Sequence, residues 1–146
     1  MERRIGDEIP LQLRLRELDI WVVSNELVDP LTGLMTPHYF YESAQRIKSW
    51  ADRKSQPLSF IAIGLGGLND YDVARVAREL LQELRGGDLL VRMGERKFLL
   101  LMLGDEEGAG HLIFRLSNMV KPKLAFQSQS WRSEESLLES LKRLGV

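Results

Sequence analysis

Two apolar runs, DLLVRM (88–93) and KFLLLML (97–103), are separated by only Gly94-Glu95-Arg96. A short break containing glycine joins such runs as a β-hairpin, so the stretch predicts paired strands from Asp88 to Leu103, central in a sheet and carrying a charged tip. A third run, PLSFIAIGL (57–65), is β-branched and aromatic and bounded by Pro and Gly, the pattern of a buried strand. Leu124 to Trp131 reads as a fourth, weaker strand.

Helical spacing fills the intervals. Val73, Val76, Ala77, Leu80, Leu81 and Leu84 form an amphipathic stripe that Gly86-Gly87 is expected to end. Ala109, Leu112, Ile113, Leu116 and Val120 form another, stopped by Pro122. Thr36-Pro37 opens a helix running to about Asp52, and Leu137, Leu138, Leu141 and Leu144 mark the face of a last one. Upstream, Leu11, Leu15, Leu18, Val22 and Asn25 lie on one helical stripe covering about two heptads, which suits either a helix packed on its own domain or a dimer seam. The reading is an α/β (α+β) chain: an N-terminal lead-in helix over 1–28, then one domain over 29–146 with a mixed central sheet and flanking helices.

Composition narrows the function classes. Twenty basic against twenty-one acidic residues give a net charge of -1, without the broad positive field of a general nucleic-acid binder, so no nucleic-acid partner is expected. The absence of cysteine removes thiol nucleophiles and cysteine metal sites. Charges interrupt the N-terminus, so neither a signal peptide nor a membrane span is expected, and the protein is expected in the cytoplasm with no membrane partner. His38 and His111 have no partner at metal-ligand spacing, and Trp21, Trp50 and Trp131 are too scattered for a base-stacking platform.

Several motifs, in order, resemble a known family. Asp29-Pro-Leu-Thr-Gly-Leu34 with Phe40 resembles the DxLTGLxNRxxF opening of GGDEF domains, the diguanylate cyclase family of bacterial signalling. Arg85-Gly-Gly-Asp88, five residues, then Gly94-Glu-Arg-Lys-Phe98 resembles its RxxD motif, spacer and signature hairpin, with Arg92 where the family usually has an arginine. Gly64-Leu65-Gly66 resembles its DLD strand end, and Leu124–Trp131 loosely its VTVSIGV strand. The resemblance implies a GGDEF / nucleotidyl-cyclase-like fold and an ancestry in joining two GTP molecules into cyclic di-GMP across a dimer.

The departures argue against that chemistry here. Metal-assisted phosphoryl transfer needs hard oxygen ligands. The resemblance implies that these include the first Asp of DLD, here Gly64, and an acidic residue of the loop, which here reads Gly94, Glu95, Arg96, Lys97, Phe98. Two carboxylates become two cations. Glu95 is one position out of register and Asp70 lies beyond the strand end, so neither is expected to restore a metal site. The ADxALYxAK ending of the family is also missing. The chain is therefore expected to be a degenerate, non-catalytic regulatory domain, with no catalytic residue, no metal and no cofactor.

What survives is RxxD. In the family this pair grips cyclic di-GMP, an arginine fork suiting phosphate and a guanine edge and a carboxylate accepting from guanine N–H groups. Arg85 and Asp88 match it, and Arg115 falls close to where a further arginine reaches that site from the helix after the hairpin. These three are the candidate ligand-binding residues, with cyclic di-GMP the candidate ligand. The same pair also suits a plain helix-to-strand turn. Arg92, Arg96 and Lys97 form a second candidate, either a basic tip for an anion or acidic partner or a solvated turn. The alternative function is a protein–protein interaction or homodimerisation domain, using the N-terminal helix, that binds no nucleotide.

Overall fold

The computed structural model describes residues 28–120 and 123–145. The lead-in helix, and with it the choice between dimer seam and self-packing, lies outside the described residues. From Pro37 the order is α1 (Pro37–Lys54), β1 (Leu58–Gly64), α2 (Asp70–Glu83), β2 (Leu89–Gly94), β3 (Lys97–Leu103), α3 (Glu106–Met119), β4 (Ala125–Ser130) and α4 (Leu137–Leu144). The sheet order is β2-β3-β1-β4.

All pairings among the four strands are antiparallel. Among the described residues the sheet is mixed only through the isolated parallel bridge of Met35 to Val91, which lays the chain before α1 along β2. The hairpin is present, but of its two strands only β3 is internal; β2 is an edge strand, contrary to the central placement expected for both. Met35 donates its N–H to the Leu90 carbonyl and accepts from the Arg92 N–H, so part of that edge is already paired.

Side-chain alternation explains why these strands read as continuous apolar runs: both faces are covered. Ile61, Ile63, Phe98 and Leu100 point to one side, where they pack with Val73, Val76, Ala77 and Leu80 of α2 and Ala109, Leu112 and Leu116 of α3. Phe60, Val91, Leu99 and Leu101 point to the other, against Phe40 and Ala44 of α1 and Leu137, Leu141 and Leu144 of α4. Trp131 belongs to this second layer, its ring centroid 5.0 Å from that of Phe60 and 5.1 Å from Lys48 Nζ.

Helix ends follow local chemistry. The Asn69 side chain accepts from the Asp72 N–H to start α2, Asp105 accepts from Gly108 to start α3, and Ser136 with Glu139 forms a capping box on α4. Helix α2 stops at Glu83, before the Gly86-Gly87 expected to end it, because Leu84 turns extended while its side chain stays packed on the core.

Candidate functional site

The turn from α2 to β2 carries Arg85-Gly86-Gly87-Asp88. Asp88 donates its N–H to the Arg85 carbonyl, and its Oδ2 accepts from the Arg85 N–H, both at 3.1 Å. Gly87 sits at φ +101, a backbone state costly for any residue with a Cβ, so the glycine is what lets the two outer residues close on each other. Both readings of RxxD are thus compatible here: the carboxylate and the backbone make the turn, while no hydrogen bond or ion pair to a described residue engages the exposed Arg85 guanidinium.

Across from this turn, α3 presents Arg115. Its Nη2 donates to the Glu83 carbonyl at 3.3 Å and its Nε lies 3.5 Å from Glu83 Oε1, which ties the helix to the end of α2 and holds the guanidinium beside the turn. Arg85, Asp88 and Arg115 line one cleft of about 300 Å³, together with Met102, Leu103, Gly104, Gly108, Leu112 and His111. The three residues selected by motif therefore meet in space. His111 was not selected; its position one helical turn before Arg115, on the same face, was the available signal.

The signature hairpin lies at the far end of β2 from this cleft, six residues along the strand or about 17–20 Å away. Its turn residues are Glu95 and Arg96, with a register shift between Arg92 and Gly94. The basic tip expected from Arg92, Arg96 and Lys97 does not exist as a unit. Arg92 is buried, 3% exposed, because β2 is covered on both faces, and it turns inward to Asp29. Its Nη1 reaches Asp29 Oδ2 at 3.0 Å, while Nε donates to the Gly94 carbonyl and Nη2 to the Glu95 carbonyl. Asp29 Oδ2 also accepts from the Thr32 N–H and hydroxyl, so the DPLTG stretch is a turn built around a carboxylate that the hairpin arginine neutralises.

Arg96 lies over the start of α2. Its Nη2 is 3.2 Å from Asp70 Oδ1, and its carbonyl accepts from the Leu65 N–H, latching the tip onto the loop that follows β1. Gly64 pairs with Lys97 across the sheet, so the strand end where a carboxylate would stand faces an ammonium-bearing residue. This donor set does not fit a divalent cation: Asp70 already faces Arg96, and among the described residues no three His, Cys, Asp or Glu side chains group at ligand distance. Phe98 is fully buried and anchors the hairpin in the core.

No protein-family model and no curated protein matches the sequence. Solved structures do. A sensory box/GGDEF family protein from Caulobacter crescentus superposes with a TM-score of 0.71 at 19% identity, covering 81% of this chain and 92% of that one. The GGDEF domain of DgcB from the same organism, solved in complex with c-di-GMP, gives 0.73 at 14% identity over 86% and 89%. The diguanylate cyclase SiaD from Pseudomonas aeruginosa, solved with its activator SiaC, gives 0.73 at 22% identity over 97% of this chain and 63% of that one. The chain has the GGDEF-domain fold. Within the GGDEF fold, the hairpin that names it is here GERKF, latched by Arg96, and the RxxD turn opens onto the cleft shared with Arg115. No described helix is long and apolar enough to cross a membrane.

Proposed function

We propose that this chain is a non-catalytic GGDEF-fold regulatory domain that binds cyclic di-GMP in the cleft of Arg85, Asp88 and Arg115. The observation that carries the reading is the convergence of those three side chains on one cleft, with the Arg85 guanidinium engaged by no described residue. A guanidinium fork offers parallel donors to a phosphodiester or to the Hoogsteen edge of guanine, and the second Asp88 oxygen can accept from guanine N–H groups. None of this needs a metal. The hairpin site supports the negative half of the reading, since Arg96 and Lys97 stand where the signature has carboxylates and Arg96 is already paired with Asp70. The test is parallel calorimetric titration with cyclic di-GMP and with GTP, both in magnesium. The reading predicts saturable binding of the first and none of the second; the reverse order would overturn it.

A second reading rests on a separate observation. Between α1 and α4 an apolar groove of about 360 Å³ is lined by Tyr41, Glu42, Gln45, Leu137 and Leu138, with Leu138 45% exposed. The Tyr41 hydroxyl is buried without a hydrogen-bond partner among the described residues, and burial pushes its pKa up to about 12. An apolar groove of this kind suits a protein partner or a second copy of the chain, the role expected of an interaction domain that binds no nucleotide.

A further inference from the structure

The charges around the cleft are not balanced for a dianionic ligand. Its lining contributes two guanidinium groups, Arg85 and Arg115, against one carboxylate, Asp88. Glu83, at the rim on the end of α2, lies 3.5 Å from Arg115 and offsets most of that cation. With a neutral imidazole the fixed charge is close to zero, whereas a cyclic dinucleotide brings a negative phosphodiester at each of its two linkages. His111 lines the same cleft from α3, one turn before Arg115 and facing the RxxD turn.

We propose that His111 is a fourth ligand-binding group of this cleft and makes its occupancy pH-dependent, the protonated imidazolium adding a donor and a positive charge for a phosphodiester. The proposal rests on the cyclic di-GMP reading and names how that site is regulated. The charged groups bearing on His111 are Arg85 and Asp88 from the turn, Glu83 from α2 through Arg115, and Glu107 and Arg115 one turn to either side on its own helix. Among these side-chain types only histidine ordinarily changes charge between about pH 5 and 8. The ring is exposed, so uptake of a proton needs no rearrangement of the core.

The sign is simple. A negative ligand favours the protonated ring, so affinity rises as pH falls and binding takes up a proton. At an exposed site one added charge contact corresponds to about a 1.5- to fivefold change in affinity. The experiment is calorimetric titration of the whole chain with cyclic di-GMP at pH 5.5, 6.5 and 8.0, for the wild type, His111→Gln and Arg85→Ala. The expected result is a gain of about 1.5- to fivefold on acidification in the wild type and Arg85→Ala, flattened in His111→Gln. Binding that is independent of pH, or a slope that persists in His111→Gln, overturns the role of His111 while leaving the ligand assignment standing. No binding by the wild type at any of the three pH values overturns both.

Discussion

Arg92 shows how a single side chain can be legible as a residue and misread as a role. Its place just before a charged turn groups it with Arg96 and Lys97, yet the structure buries it against Asp29, 63 positions earlier in the chain. Nothing local announces a partner that far away; the clue was that Arg92 sits between Val91 and Met93 in a run with no polar face. Removing one member of a buried ion pair leaves the other charged and unpaired, so Arg92→Ala is expected to lower unfolding free energy by about 3–5 kcal/mol in urea denaturation. Arg96→Ala, which breaks a surface pair with Asp70 and one exposed hydrogen bond to the Glu95 carbonyl, should change it by less than about 1 kcal/mol. Gly87→Ala forces an alanine to φ +101 and is expected to lower stability by about 1–2 kcal/mol, read from the same denaturation curves. Equal stabilities for Arg92→Ala and Arg96→Ala would contradict the buried linkage. That Arg85, Asp88 and Arg115 would come together on one cleft was legible because their spacing around the hairpin matches a motif. That His111 also lines this cleft was not legible, because a lone histidine has no partner in sequence, although it sits four residues before Arg115.

Strands and helices were easier to read than their boundaries and neighbours. Three strands could be found from apolar runs and turn residues and the fourth, AFQSQS, only weakly, but which strands form the edges depends on pairing between distant segments, and that is why β2 was expected inside the sheet. The end of α2 was set by burial of Leu84 and not by the glycines two residues on. Helix α4 shows an element held from outside itself: Arg143 donates to Glu135 Oε2 at 2.6 Å, to Glu135 Oε1 at 2.8 Å and to the Ser130 carbonyl at 2.9 Å, clasping the helix to the end of β4. Hydrogen bonds from Arg143 hold the Glu135 carboxyl down at about 2. A depressed carboxyl pKa adds stability that is fully present above the ordinary glutamate value of about 4.3 and is lost as pH falls from there towards 2. Thermal midpoints measured from pH 6 to pH 2 should therefore fall more steeply for the wild type than for Glu135→Gln over that window. Parallel curves would show that the clasp contributes nothing.

For the whole molecule, the sheet separates two sites by the length of β2 and gives them opposite characters. At the hairpin end, on the proposed reading, Arg96 and Lys97 stand in place of the carboxylates of the signature, and incubation with GTP and either magnesium or manganese is expected to yield no cyclic di-GMP above blank. Metal-dependent turnover abolished by Glu95→Ala would contradict this. At the other end the cleft keeps a guanidinium engaged by no described residue, a carboxylate and a tethered arginine. The most direct test of that division is titration of cyclic di-GMP into the wild type, Arg85→Ala and Arg96→Ala. Charge-assisted hydrogen bonds contribute roughly 1.5–3 kcal/mol, so Arg85→Ala should weaken binding about tenfold to a hundredfold while Arg96→Ala leaves it within about twofold of the wild type. Equal losses from the two substitutions would contradict the account, because they would mean that the ligand is attracted to positive charge in general and not held in the Arg85 cleft.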